Sequence, residues 1–208
     1  MPRLSRPRGA HRNENGEHTY RAIVEAATEV LATQGWRAAS VAAVASRAGV
    51  TRGAIQHHFK DRQGLFTASV KHVLESRIQD IVELQGTSVD EADRTRAIVR
   101  AVVDMHIGTN FAAGLQLCMA AADDPALRPQ VAAMELEVGA RGFWALVERL
   151  GLNGNDATVR ATVQAFLDSA RGLGLAAMLN DDSQRRATVC DRWAVMLDDL
   201  RAEDPAGG

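Results

Sequence analysis

The sequence predicts an all-α protein, with an N-terminal domain of three helices followed by a C-terminal domain that is also entirely helical. Apolar residues recur at intervals of three and four along most of the chain, which is the spacing of one helix face. No stretch alternates between apolar and polar residues in the way that a half-buried strand does. Aromatic residues make up only 4% of the 208 residues, and alanine, the strongest helix former, is abundant.

Residues 1–17 come before the first periodic segment and are predicted to form a disordered basic arm. Prolines and glycines, which discourage regular structure, alternate here with arginines at positions 3, 6, 8 and 12. Such an arm either remains a solvated tail or contacts a polyanion, and the sequence leaves both possibilities open.

The first helix is predicted from Thr19 to Gln34. Its apolar residues fall on a single stripe: Ile23, Ala26, Ala27, Val30 and Leu31. Gly35 ends the helix, and Trp36 is expected to pack beneath the domain. We therefore expect this helix to support the two short helices that follow.

Two short helices separated by a glycine turn are predicted next. Ser40 occupies an N-cap position before the first of them, and Gly49 stands where a left-handed residue ends a helix. Thr51 caps the second, which runs from Arg52 to about His58. A helix–turn–helix results.

The second short helix has few apolar residues, Ile55 and the closing Phe59, and these would anchor it on one side. Its other side chains are polar or small. A helix anchored on one side and able to hydrogen-bond on the other is suited to the major groove of DNA, where base edges can be read. This pattern predicts a DNA-binding domain over residues 18–66, and the arm before it can then enter the minor groove.

The candidate DNA contacts divide by chemistry. Phosphate anchors are expected among the hydroxyl and cationic side chains Ser40, Thr51, Arg52, Lys60 and Arg62. Gln56 is the best base reader because its amide can pair with adenine, and Arg52 can instead reach guanine. The remaining candidates are small residues that permit close approach or contact a thymine methyl, and imidazoles that reach bases or phosphates: Gly53, Ala54, His57 and His58.

A long fourth helix is predicted to connect this domain to the body. Asp61 caps it, Arg62 is its first residue and it continues to about Leu84, with a turn at 85–89. The body, residues 67–202, is read as helices over 90–108, 111–121, 125–150, 156–179 and 183–202, and residues 203–208 as a tail. Pro125 is expected in the first turn of its helix.

The helix at 156–179 is apolar on two sides. One stripe is suited to packing within the chain: Val159, Val163, Phe166, Ala170, Leu173 and Ala177. The other consists of small residues that would let a second helix approach closely: Ala161, Ala165, Ser169, Gly172 and Ala176. In the last helix, Val189, Trp193, Met196, Leu197 and Leu200 are similarly apolar. From the residues alone, core and dimer interface are equally good readings of the second stripe.

Charge is divided between the two ends of the chain. Residues 1–75 hold eleven Lys/Arg and six Asp/Glu, a net +5, and the remainder carries −7. A basic end on an acidic body suggests that this end binds a polyanion.

The compartment is predicted from three further features. No apolar run is long enough to span a membrane, and no secretory signal is recognised. Cys118 and Cys190 are expected to be reduced core thiols. We therefore expect a cytoplasmic protein, and we expect no cofactor.

A metal site and a catalytic site are two further interpretations of the polar residues. His57 and His58 are adjacent on a helix and so do not share a face, which disfavours metal binding. Asp104, His106 and Cys118 have the residue types of a nucleophilic site, but Asp104 and His106 are two residues apart on one helix and point to different sides. Neither site is predicted.

The run from Ser40 to Phe66 resembles the helix–turn–helix of the TetR family of transcriptional repressors. That family has a Gly-Val-(Ser/Thr)-(Lys/Arg)-Gly turn followed by Leu-Tyr-x-His-Phe-x-x-(Lys/Arg)-x-x-Leu. The matching residues are Gly49, Val50, Thr51, Arg52 and Gly53, then Ile55, Gln56, His58, Phe59, Arg62 and Leu65. Gln56 stands where the family usually has tyrosine. His58 matches the family's histidine, so its expected role is a contact with the DNA backbone.

The resemblance implies a homodimer formed through the last two helices, a palindromic DNA operator as partner, and a small ligand in the body whose binding releases the DNA. Residues expected to line such a pocket, although each also fits an ordinary core, are Met105, His106, Asn110, Phe111, Leu115, Met119, Phe143 and Trp144. Their character suggests an apolar or aromatic ligand. The alternative is a helical ligand-binding or protein-interaction module that binds no specific operator.

Overall fold

The computed structural model describes residues 8–83 and 91–203, and all regular structure in this part of the chain is helical. The described residues form nine successive helices: α1 (Arg8–Ala38), α2 (Val41–Ala48), α3 (Arg52–His58), α4 (Arg62–Val82), α5 (Glu91–Met105), α6 (Thr109–Asp123), α7 (Arg128–Leu150), α8 (Ala157–Ala177) and α9 (Ser183–Glu203). The predicted all-α class is confirmed. The predicted turn at 85–89 and residues 204–208 of the predicted tail (203–208) lie outside the described residues, and Glu203 is the last residue of α9.

Helix α1 is longer than predicted. It begins at Arg8 rather than Thr19, so the predicted disorder of the arm is not observed for residues 8–17. Pro7 is the last proline in this stretch, and no residue beyond it lacks the backbone N–H that a helix requires. Residues 1–7 lie outside the described part. At its other end, Gly35 leaves the helical conformation at φ 71°, a value that favours glycine, as the sequence predicts.

The predicted start of the seventh helix is wrong. Helix α6 extends to Asp123, and the Asp124 carboxylate then accepts hydrogen bonds from the backbone N–H groups of Ala126 and Leu127, at 2.8 and 3.3 Å. These bonds hold a turn that contains Pro125. Helix α7 starts only at Arg128, and the proline in its first turn is Pro129.

Buried apolar residues form two clusters. The first joins α1–α4 with α6 and the N-terminal half of α7, so that α6 of the predicted body packs directly on α1. The second joins α5 with the C-terminal half of α7, α8 and α9. Helix α7 belongs to both clusters. The helix–turn–helix is therefore supported by the same core that holds α6, and the predicted boundary at residue 66 stays a prediction.

The two stripes of α8 differ in burial. Val159, Val163, Phe166, Ala170 and Leu173 are buried and Ala177 is half-buried, as expected for an intramolecular face. On the second stripe Ala161, Ala165 and Gly172 are exposed, and Ser169 and Ala176 are half-buried. Large apolar side chains are also exposed at the end of α8 and just after it, Leu175, Met178 and Leu179, and on α9, Val195. The predicted apolar residues of α9 are buried or half-buried. None of the described helices is long and apolar enough to cross a membrane.

Candidate nucleic-acid interface

One side-chain cap and one glycine fix the ends of α2. The Ser40 hydroxyl accepts a hydrogen bond from the backbone N–H of Ala43 at 3.1 Å, which satisfies one of the free donors of the first turn. At the other end Gly49 adopts φ 67° and ψ 29°, the left-handed conformation that ends a helix. Both predicted caps are confirmed.

Helix α3 presents the face that the sequence predicts. The Thr51 hydroxyl caps it by accepting from the Ala54 N–H at 3.2 Å. Ile55 and Phe59 are buried and hold the helix on the core, whereas Arg52, Gln56 and His57 are exposed. No hydrogen bond or ion pair within the described residues engages Arg52 or Lys60. These two cations are therefore available to phosphates, and Gln56 is available to a base edge.

An open groove of about 430 Å³ lies between the start of α2 and the helices α3 and α4. It brings together most of the candidate phosphate anchors with the candidate base reader. Its lining residues are Ser40, Val41, Ala42, Arg52, Ile55, Gln56, Phe59, Lys60, Asp61 and Arg62. The Asp61 carboxylate accepts from the Gly64 N–H at 2.7 Å and so caps α4, as predicted. The groove thus contains the exposed cations Arg52 and Lys60 and the amide of Gln56, and the carboxylate of Asp61 is already bonded to the N–H of Gly64.

Arg62 has a different place from the one that the sequence suggests. Its Nε donates to the carbonyl of Ala39 at 2.8 Å, and its Nη2 donates to the carbonyl of Trp36. Its guanidinium also lies over the rings of Trp36 and Phe66, and burial lowers its pKa. These contacts occupy the side chain within the protein and favour a role in holding α4 to the end of α1. We keep its contact with phosphate only as a prediction.

His58 faces inward rather than outward. It is half-buried, and its ring lies 5.8 Å from that of Tyr20 and 5.2 Å from that of His57, between ring centres. Sequence reasoning missed Tyr20, which also stacks on Phe59 at 5.5 Å. The available signal was that Tyr20 is the single tyrosine of the chain, next to the apolar stripe of α1. The backbone contact of His58 with DNA stays a prediction.

The predicted ligand residues fall into two places. His106 and Phe111 lie together, with ring centres 5.5 Å apart, and the His106 Nδ1 is 2.9 Å from the carbonyl oxygen of Val102. Phe143 and Trp144 form a second pair at 5.3 Å, and Trp144 is 47% exposed. Met119 is also on the surface, and the other three members, Met105, Asn110 and Leu115, are half-buried. Whether they bind a ligand stays a prediction.

A groove in the body has a different lining. It measures about 440 Å³, lies between α6 and α7 and is lined by Cys118, Ala121, Ala122, Arg128, Val131 and Ala132. None of the predicted ligand residues lines it. The sequence could not reveal it, because it arises from small residues on two helices whose packing is known only from the fold.

The chemistry of the body does not favour catalysis. Burial, together with the charge of Glu135 and a hydrogen bond to it, raises the pKa of the Cys118 thiol to about 11, so the nucleophilic thiolate is scarce at neutral pH. Asp104 is exposed, and His106 is held to the carbonyl of Val102. Within the described ranges, no group of three or more His, Cys, Asp or Glu side chains is placed to hold a metal ion.

Comparison with known proteins places this interface in a family context. The model of the "bacterial regulatory proteins, tetR family" matches residues 23–68, which cover α2, α3 and parts of α1 and α4. The regulator BetI of Pseudomonas aeruginosa is 28% identical over 157 residues, 64% of this chain and 79% of BetI. The transcriptional activator FasR of Mycolicibacterium smegmatis is 28% identical over 198 residues, 90% of this chain and 89% of FasR.

The fold has solved counterparts. The regulator FadR of Bacillus subtilis, crystallised in complex with stearoyl-CoA, superimposes with a TM-score of 0.60 over 86% of this chain and 97% of FadR. Its sequence identity is 18%, so the likeness concerns the fold alone. It covers the N-terminal helices and the body together.

Proposed function

This chain is a TetR-family transcriptional regulator, and we propose that it acts as a homodimeric repressor that binds a palindromic operator and releases it when a small molecule binds the body. DNA binding through the helix–turn–helix and the absence of enzymatic activity follow from the family. The dimer, the direction of regulation and the ligand are the proposal. Because its operator is part of the genome, we expect it to act in the cytoplasm.

One observation carries the operator-binding part of the proposal. Helix α3 is anchored through Ile55 and Phe59. It leaves Arg52, Gln56 and neighbouring Lys60 exposed and without a hydrogen bond or ion pair to any other described side chain. Cations of this kind bind phosphates regardless of sequence, and an exposed amide can discriminate adenine from other bases. The combination supports specific recognition rather than charge-driven binding alone.

The uncovered face of α8 supports a homodimer. Ala161, Ala165 and Gly172 are exposed although they lie on one stripe, and Leu179, two residues beyond the end of the helix, is 78% exposed. Small residues let a second helix approach closely, and a large exposed apolar patch is unusual unless a partner covers it. Two copies related by a two-fold axis would place their α3 helices about 34–36 Å apart, one turn of DNA.

A ligand of apolar or aromatic character is supported by the half-buried side chains around His106 and Phe111. The FadR complex with stearoyl-CoA is a precedent for a ligand with a long apolar chain in this fold. We therefore regard long-chain acyl compounds as the first group to test. Binding must favour the conformation that does not bind DNA, because only differential affinity shifts such an equilibrium.

Selection of binding sites from random duplex DNA tests the proposal. Recovery of a palindrome with half-sites one helical turn apart is the expected result, and a reporter behind that operator should be repressed. Activation of the reporter would instead match the name of FasR. Recovery of no palindrome would favour the alternative, a helical binding module without a specific operator, to which the glutamine at position 56 gives some support.

The dimer is tested separately by sedimentation. Ala165→Arg places a charged side chain on the exposed stripe of α8, and it should yield a folded monomer with much weaker operator binding. Ala140→Arg is the matched control, because Ala140 is an exposed alanine on α7 away from that stripe.

The ligand is tested by titration. Stearoyl-CoA and shorter acyl-CoA molecules are added to the operator complex, and a molecule that is a ligand should release the DNA.

A further inference from the structure

Tyr20 lies where three helices of the N-terminal part meet. From α1 its ring stacks on Phe59 at 5.5 Å between ring centres, with an interplanar angle of 23°. It meets the edge of His58 at 5.8 Å and that of His72, on α4, also at 5.8 Å. His58 is the last residue of α3 and Phe59 is its C-cap, so Tyr20 contacts the end of the helix that would read DNA.

Helix α4 is held to the body on either side of this contact, at Lys71 and at Glu75. Glu75, three residues after His72, pairs with Arg141 of α7. Lys71 donates to both carboxylate oxygens of Glu137 on α7 at 2.7 Å. Positions three and four apart share a helix face, so the segment of α4 that contacts Tyr20 is the same segment that α7 holds through two ion pairs.

We propose that Tyr20 is a positioning residue for the recognition helix α3. Helix α7 of the body sets the position of Tyr20 by holding α4 through the pair of Arg141 with Glu75. Helix α3 has only seven residues, and a helix this short depends on tertiary contacts for its stability. Its two inward anchors are Ile55 and Phe59. Loss of the support under Phe59 would let α3 pivot about Ile55, and a displacement of about 1 Å is enough to spoil a binding geometry.

The electrostatic environment of Tyr20 agrees with this arrangement. Burial raises the pKa of Tyr20, and the negative charge of Glu75 raises it further. The charge of the Glu75 carboxylate, which pairs with Arg141, therefore acts on the hydroxyl of Tyr20 as well. Because the chain has a single tyrosine, the ultraviolet absorbance of tyrosinate reports on this residue alone.

The inference rests on DNA binding by α3, but its main test needs no DNA. Arg141→Gln removes one of the two ion pairs between α4 and α7, far from the proposed interface, and leaves the pair of Lys71 with Glu137 in place. We expect it to speed hydrogen exchange of the amides of residues 55–59 by about tenfold, and to weaken operator binding by a similar factor. In a Tyr20→Leu background, where the support is already lost, Arg141→Gln should change neither quantity further.

Two control variants make the test specific. Arg77→Gln removes an arginine from the same helix α4, but Arg77 pairs with Asp80 of that helix at 3.8 Å and not with α7. It should leave exchange in α3 unchanged. Tyr20→Phe keeps the ring and should behave as the native protein. Should Tyr20→Leu fail to fold, His72→Ala removes the contact of α4 with Tyr20 and serves as the second background.

Equal effects of Arg141→Gln in both backgrounds, or an equal effect of Arg77→Gln, would overturn the inference. An unchanged alkaline titration of Tyr20 in Glu75→Gln would also overturn it, since the charge would then not act on the tyrosine. If no operator is recovered but the coupling in hydrogen exchange is found, the proposed repressor function fails while the positioning role of Tyr20 stands.

Discussion

The guanidinium carbon of Arg62 lies 4.0 Å from the centre of the Trp36 ring, and the same side chain donates a hydrogen bond to the Trp36 carbonyl. A second bond from Arg62 reaches the carbonyl of Ala39, the residue before the N-cap of α2. Arg62 therefore connects the start of α4, the end of α1 and the approach to α2. Its planar group can stack and donate at once, which the lysine ammonium cannot do.

Arg62→Lys separates this structural role from a phosphate contact. Lysine keeps the charge but cannot both stack on Trp36 and bond two carbonyls, so we expect the free energy of unfolding to fall by about 1–3 kcal/mol. Urea denaturation measures this. Lys60→Ala is the control. Lys60 is exposed and has no hydrogen bond or ion pair among the described residues, so its loss should change DNA affinity but not stability. An Arg62→Lys protein of native stability and native DNA affinity would favour the phosphate role instead.

Gln56→Ala should change which operator sequence is preferred. Gln56 is exposed on α3 beside Arg52, and loss of a bidentate amide contact costs about 1–3 kcal/mol at a single base pair of each half-site. Lys60→Ala should instead weaken binding to all sequences and reduce the salt slope by about one per lost phosphate contact. Binding to a panel of operator variants measures both. A uniform loss on every sequence would remove Gln56 as a base reader.

The ends of the short helices could be predicted from the sequence because their causes are local. Ser40, Gly49 and Thr51 each act within four or five residues, and all three caps were found where expected. The bonding of Arg62 could not be predicted, because its acceptors lie 23 and 26 residues earlier in the chain. Its charge indicated a phosphate contact only because no partner within the protein was visible in the sequence.

Helical periodicity also says little about which side of an apolar helix is covered. Trp144 belongs to an apolar pattern in α7, yet it is 47% exposed, and Met119 of α6 is 68% exposed. Both were expected to line a pocket. The start of α7 was misplaced because Pro125 and Pro129 both fit a first turn, and only the hydrogen bonds of Asp124 decide between them.

Gly174→Ala should be strongly destabilising. A Cβ at Gly174 would lie 2.1 Å from the backbone oxygen of His106, so α8 or the end of α5 would have to move. Overpacking of this kind costs about 1–3 kcal/mol or more. Gly139→Ala on α7 is the matched control, since a Cβ there meets nothing within 4 Å and alanine stabilises a helix by about 0.5–1 kcal/mol. Thermal unfolding of both variants measures the difference, and equal melting temperatures would contradict the close packing.

Cys118 should react slowly although it is only half-buried. With the pKa of its thiol raised to about 11, the thiolate fraction at pH 8 is roughly two orders of magnitude below that of an ordinary cysteine. Alkylation by iodoacetamide in a Cys190→Ala background measures its rate. Glu135→Gln removes the charge that disfavours the thiolate and should speed the reaction. A rate equal to that of the unfolded chain would show that the surroundings of Cys118 do not act as described.

His106 should make the protein less stable in mild acid. Burial lowers its pKa, the charge of Arg171 lowers it further, and the hydrogen bond to Val102 only partly opposes them. In the unfolded chain the histidine has its ordinary pKa of about 6.5, so below that pH the unfolded chain binds a proton more readily than the folded chain does. The free energy of unfolding therefore keeps its full value above about pH 6.5 and falls as the pH is lowered toward the pKa of His106 in the folded chain. Urea denaturation between about pH 5 and 8 should show this loss, and His106→Gln should remove it.

Two further variants test the cause of this pH dependence. Arg171→Gln should weaken it, whereas His18→Gln, at an exposed position on α1, should leave it unchanged. If the pH dependence survives in His106→Gln, another group is responsible.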